Sequence, residues 1–336
     1  MLAAGAVGGA VLGYLAERTV VDPASEPEAV EDGPRRHLRQ VIADDGTLLS
    51  VVVSGQDDAP VIVLVHGMSL NHEIWVAQRA ELEQTYQVVT VDLRGHGDST
   101  DAVSGDYSAE ALGGDVCAVI DTLSDQRCVV VGHSMGGMAV MAALAQRPDL
   151  LEGRVAGIVL VNTAASAVIS GLGGGSVAAS IAFMRERVRS SVVGRALYGG
   201  LDDAGLPRGN DLATLVTRMF GVGSDAPDEA VRHVRRLVLN SRPHVAGELW
   251  RTAGTLDQLA VARVITVPTL IIAGARDRVL PVHHSRRLAS TLPDAELVEL
   301  PAVGHVAMLE RPDVVTMLLD GFARRVFDTS NGYGAS

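Results

Sequence analysis

A serine sits between glycines in Gly132-His133-Ser134-Met135-Gly136, after the apolar run 128–131 and before the helix-forming stretch 138–145. A strand, sharp turn and helix in that order strain the serine backbone and lift its Oγ clear of the sheet. Side chains at Gly132 and Gly136 would collide in so tight a turn. The helix that follows aims its N-terminus at the same point, where partial positive charge favours a developing oxyanion. The chemistry on offer is nucleophilic attack by Ser134. Alone, the pentapeptide also reads as an ordinary turn, so its partners decide.

A serine hydroxyl needs a base to take its proton, and the base needs an acid to orient it. In a site of this kind they follow in the order serine, acid, histidine, each after a strand. The run 267–274 leads into Ala275-Arg276-Asp277, so Asp277 lies on a loop at the carboxyl end of a strand. The alternating run 295–300 ends at Pro301-Ala302-Val303-Gly304-His305, which puts His305 on a loop in the same way. Asp257 is a rival acid. Two backbone N–H donors are also required: that of Met135, directly after the nucleophile, and that of Met68, delivered by the buried run 61–65 through His66 and Gly67. Gly67 lets the backbone approach a substrate.

Together with the Asp92-to-Ser99 loop, these segments resemble the α/β-hydrolase superfamily. His66-Gly67, residues 132–137, Gly274-Ala275-Arg276-Asp277 and Gly304-His305 all match its pattern, over about residues 37–328 with a variable middle. The likeness is greatest to the bacterial esterase, lipase and monoacylglycerol-lipase-like branch. It implies an α/β fold: an eight-stranded, mostly parallel sheet with flanking helices and a helical cap inserted after the sixth strand. Ser134 stands where haloalkane dehalogenases and epoxide hydrolases carry aspartate, which argues against both of those chemistries. The implied reaction is hydrolysis of small or aliphatic acyl esters, monoacylglycerols among the candidates, without a cofactor. A serine-dependent C–C hydrolase, an acyltransferase and a non-enzymatic receptor or scaffold are the alternatives.

Other polar residues near these turns have plainer readings. Asp92 and Asp98 are expected to hold the loop that carries His96. His66, His96 and His133 read as packing or loop-orienting residues, and the ring of His133 should point away from the Ser134 Oγ. His283-His284 reads as a surface pair. Cys117 and Cys128 read as buried, reduced thiols, and no His-Glu-x-x-His or Cys-x-x-Cys spacing suggests a metal.

Composition narrows the chemistry. All 28 basic residues are arginine. Without lysine, Schiff-base catalysis, a pyridoxal-phosphate anchor, a Walker phosphate loop and a serine–lysine dyad are impossible. Lysine-free, arginine- and alanine-rich composition also points to a GC-rich bacterial genome. A net charge of −12 disfavours a nucleic-acid partner; a small-molecule ester is the expected one, and nothing sets the oligomeric state.

Residues 1–36 read as an apolar N-terminal extension and linker, in which 1–16 are uncharged. Glu17 and Arg18 interrupt that stretch short of the ~20 apolar residues a spanning helix needs. No basic region precedes it, so secretion is disfavoured. The expectation is a cytoplasmic protein with residues 1–16 as a candidate peripheral membrane contact. A hairpin at 37–54 turns at Asp44-Asp45-Gly46 and opens the core, expected over 37–163 and 257–328. The cap is expected over 164–256 and a short tail over 329–336. Within the cap, 169–176 is glycine-rich, and Phe183, Met184, Leu197, Leu215, Met219 and Phe220 recur at helix-like spacing. They read as the cap's own core or as an acyl groove, with Gly67, Met184, Met219 and Phe220 the candidate substrate contacts. With aromatics at only 3%, the pocket is expected to be lined by Leu, Val, Ala and Met and to suit aliphatic groups.

Overall fold

The computed structural model describes residues 37–123, 126–166, 217–253 and 257–332. The N-terminal extension, the stretch 167–216 with Met184 and the glycine-rich segment, and residues 333–336 lie outside the described residues. Eight strands are described: β1 (His37–Ile42), β2 (Leu48–Gly55), β3 (Val61–Val65), β4 (Gln87–Val91), β5 (Cys128–His133), β6 (Val155–Val161), β7 (Thr269–Gly274) and β8 (Ala295–Leu300). They form one sheet in the order β1-β2-β4-β3-β5-β6-β7-β8. The β1/β2 and β2/β4 pairs are antiparallel, and the rest are parallel. The strands from β3 to β8 therefore deliver their carboxyl ends to one rim, where Ser134, Asp277 and His305 emerge.

Strands β3 and β6 are apolar throughout because both of their faces are covered. Residues of β3 alternate strictly between two cores. Val61, Val63 and Val65 pack with α2 (Ala109–Asp121) and α3 (Met135–Gln146). Ile62 and Leu64 face the opposite layer, with Leu82 of α1 (Val76–Leu82) and Val315, Leu319 and Phe322 of the last helix, which runs over Pro312–Gly332. Each such side chain taken fully out of water contributes ~1.5–3 kcal/mol. The register is thereby fixed, since a one-residue slip would exchange the two cores. β7 begins at Thr269, just after Pro268, which has no N–H for the ladder.

Between β6 and β7 the described residues carry a π-helical turn at Thr217–Gly221, then α4 (Asp228–Asn240) and α5 (Pro243–Ala253). These pieces sit directly on the core. Val231, Val234 and Leu237 of α4 join the layer that holds Trp75, while Val245 and Leu249 of α5 pack into the layer that holds Tyr107. Arg242 ties α5 to the loop after β4, donating to the carbonyls of Gly97 (3.3 Å) and Ser99 (2.8 Å) and to Asp101 (3.0 Å). α6 (His283–Thr291) and α7 (Pro312–Gly332) complete the flanking layers. The last helix thus continues to Gly332, past the boundary expected at 328, and no described helix is long and apolar enough to cross a membrane.

Candidate active site

β5 turns into α3 through Ser134, whose backbone sits at φ 52° and ψ −120°. The strain is held in place from several directions. Its N–H donates to the Val161 carbonyl at 3.0 Å, and its own carbonyl accepts from the Thr163 hydroxyl at 2.6 Å. The flanking glycines are sterically required: a Cβ on Gly132 would fall 2.6 Å from the Gly136 carbonyl, and one on Gly136 would fall 2.5 Å from the carbonyls of Val65 and His66.

Ser134 Oγ lies 3.1 Å from His305 Nε2, and His305 Nδ1 lies 2.8 Å from Asp277 Oδ2. A carboxylate only accepts, so Nδ1 carries the proton and Nε2 presents a lone pair to the serine hydroxyl. The Asp277 side chain is 1% exposed, and its Oδ1 accepts from the N–H groups of Val279 and Leu280, each at 2.8 Å. Asp257, the rival acid, is exposed and pairs with Ser166 in an isolated bridge. It takes no part.

The loop after β3 runs beside the serine. A Cβ on Gly67 would lie 3.0 Å from the Ser134 Cβ, so only bare backbone fits there. His66 is fully buried; it accepts from the Leu93 N–H at 3.0 Å through Nε2 and so donates from Nδ1 to the Gly67 carbonyl at 2.7 Å. In a trans peptide the N–H points opposite to the C=O, so this bond also fixes the direction of the Met68 N–H. His96 accepts from the Ser69 N–H at 3.3 Å and donates to the Arg94 carbonyl at 2.9 Å. Among the described residues, neither the Met68 nor the Met135 N–H meets an acceptor.

His133 turns away from the Oγ, and its Nε2 donates to the His305 carbonyl at 2.8 Å. Burial is the main cause that lowers the pKa of all three supporting histidines: His66, His133 (well below its ordinary value) and His96 (to about 3). They are neutral braces. Asp92 behaves as expected: fully buried, it accepts from the backbone of His72 and Asp98 and pairs with His72 Nδ1 at 3.0 Å. Burial opposes the His72 cation, but the bond and charge of Asp92 outweigh it and raise the imidazole pKa. Asp98 does not brace the loop through its carboxylate: it is exposed and contributes only its N–H.

Two contributors were not among the expected site residues. Asn162, at φ 46° just past β6, donates from Nδ2 to the carbonyls of Gly304 (3.0 Å) and His305 (2.7 Å), while its Oδ1 accepts from the Gly274 N–H at 2.7 Å. It joins the strand that leads to Asp277 with the loop that carries His305. The strand-end rule that marks Asp277 would have marked it too. The second, Glu310, is buried and accepts from the Gly304 N–H at 2.9 Å. Its signal is a lone acid closing the apolar run 306–309.

A family model described as the alpha/beta hydrolase fold matches residues 60–312 of the 336. The chain belongs to the α/β-hydrolase fold family. Within it, the chain is 28% identical over 255 residues to a putative carbamate hydrolase of Pseudomonas syringae, covering 76% of this chain and 90% of that one. It is 26% identical over 292 residues to 3-oxoadipate enol-lactonase 1 of Acinetobacter baylyi, covering 86% and 98%. Among solved structures, an esterase from a Rhodococcus species superposes with a TM-score of 0.68 at 25% identity, over 86% of this chain and 99% of that one.

Several residues fall away from this α/β-hydrolase site. Cys117 and Cys128 are buried and unpaired, and burial pushes their thiols up to about 11 and about 12. His283 and His284 stack at 4.3 Å, but His284 is buried against the body of the protein, which corrects its reading as part of a surface pair. Among the described residues no group of three or more side chains is arranged to hold a metal ion. Of the candidate substrate contacts, Gly67 lies at the site, and Met219 and Phe220 lie in the π-helical turn; Met184 is outside the described residues.

Proposed function

We propose that this hydrolase cleaves carboxylic esters, aliphatic acyl esters of the monoacylglycerol kind among them, through an acyl-enzyme on Ser134. The observation that carries the reading is the unbroken chain from Ser134 Oγ to His305 (3.1 Å) to Asp277 (2.8 Å), set on a strained turn at a helix N-terminus. His305 Nε2 takes the hydroxyl proton as Oγ attacks the acyl carbon. Asp277 holds the ring in the tautomer that leaves Nε2 free and stabilises the imidazolium. The N–H groups of Met68 and Met135 receive the negative charge of the tetrahedral intermediate. His305 then gives its proton to the departing alcohol, and a water activated by the same nitrogen releases the acid. The similarity to an enol-lactonase and to an esterase supports the ester reading.

The test is turnover of p-nitrophenyl esters of graded acyl length by wild type and Ser134→Ala, with a β-diketone run in parallel. The variant should fold and lose ~10⁴–10⁶ in kcat. Near-normal esterase activity in it would exclude the mechanism, and preference for the diketone would move the assignment to C–C hydrolysis.

A further inference from the structure

Glu310 closes the turn Ala307–Glu310 just beyond His305 and is 4% exposed. Its Oε2 accepts two backbone N–H groups at 2.9 Å each: Gly304, the residue before His305, and Gly223, in the segment inserted between β6 and β7. Among the described residues Oε1 meets no hydrogen-bond partner. A carboxylate buried this deeply is costly unless its bonds are kept, and burial, the largest influence on it, raises its pKa. The two backbones it joins are in contact. A Cβ on Gly223 would fall 2.5 Å from the Ala302 carbonyl and 2.8 Å from Glu310 Oε2, and one on Gly304 would overlap Gly223 N. Val222, beside the contact, is buried in the core layer beneath. On its far side the Gly304–His305 segment is gripped through its carbonyls by Asn162 and His133.

We propose that Glu310 is a positioning residue that couples the seating of the inserted segment to the alignment of His305. One carboxylate oxygen is shared between the two, so the insertion at Gly223 cannot lift without loosening the peptide that carries the histidine. A seated insertion and an aligned base are one state. This rests on the proposed role of His305.

The experiment compares Glu310→Ala, Glu310→Gln, Gly223→Ala and the Glu310→Ala/Gly223→Ala double variant. The readouts are kcat and KM on a short p-nitrophenyl ester, normalised to active sites counted by fluorophosphonate burst. Loss of one carboxylate or displacement of the segment should each lower kcat ~10–100-fold, with KM changed by less than ~3-fold, because the defect is one of alignment. Glu310→Gln should recover most of the loss, since its amide oxygen can accept the same two N–H groups. The double variant should be no slower than the slower single, as expected for one shared contact. Unchanged kcat per active site in Glu310→Ala or Gly223→Ala, no recovery by Gln, or multiplying defects would each overturn the coupling. If Glu310→Ala does not fold, Glu310→Gln and Gly223→Ala decide: the former should stay near wild type and the latter fall. Wild-type turnover that survives Ser134→Ala would defeat the ester-hydrolase reading instead, a result distinct from failure of the coupling alone.

Discussion

On one flank of Ser134 the loops after β3 and β4 are braced by neutral imidazoles, His66 and His96; on the other, the loops after β7 and β8 are held by the side chains of Asp277, Asn162 and Glu310. The proposed chemistry accounts for the division. The first flank is where an oxyanion is expected to form, and a neutral imidazole can both accept and donate there without adding negative charge. The second flank faces the nitrogen that becomes cationic, where a fixed carboxylate is favourable. Two buried carboxylates lie on the first flank as well, and their charges are taken up locally: Asp92 by His72 and two backbone N–H groups, Asp115 by Arg94. The two flanks should therefore fail differently when altered.

The largest effect is expected on the charged side. Asp277→Asn keeps an oxygen for the N–H groups of Val279 and Leu280 but removes the fixed anion and the tautomer control. It should lower kcat ~10³–10⁴-fold while leaving the thermal midpoint nearly unchanged. Steady-state kinetics beside a melting curve checks this; a loss of fold instead of rate would erase the distinction between the flanks.

The neutral side should show itself in the pH dependence of stability. His66 and His96 on that flank, and His133, His233 and His284 elsewhere, all have folded pKa values below the ordinary one, with His96 at about 3 and His284 at about 4. Below about pH 6.5 the unfolded chain takes up protons that the folded chain refuses, so stability falls as pH falls toward those lowered values. His72 has the opposite sign: its contribution is complete at low pH and is lost as pH rises through its raised value. Urea unfolding from pH 6 to pH 4.5 should show decreasing stability. His96→Leu should be less stable at pH 7 but have a slope shallower by up to one proton, ~1.4 kcal/mol per pH unit. An unchanged slope would mean that His96 is not a buried neutral brace.

Much of this was legible in the residues. Runs such as 61–65 and 155–161 are apolar because both faces are covered, and that pattern is local. Ser134, Asp277 and His305 were readable because each follows a strand that ends at the same rim. Asn162 acts through Gly304 and Gly274, and Glu310 through Gly223, all backbone groups distant in the chain, and pairings of that kind leave no local spacing. The roles of Asp92 and Asp98 divided for the same reason: two acids six residues apart differ by which of them the fold turns inward.

The proposed function stands or falls on activation of Ser134 by His305, aligned by Asp277. Reaction of the full-length protein with a fluorophosphonate, followed by mass spectrometry of the peptide containing residue 134, tests it most directly. A single adduct on Ser134 is expected, formed ~10²–10⁴-fold more slowly in His305→Ala. An adduct elsewhere, or equal labelling rates in the two proteins, would contradict it.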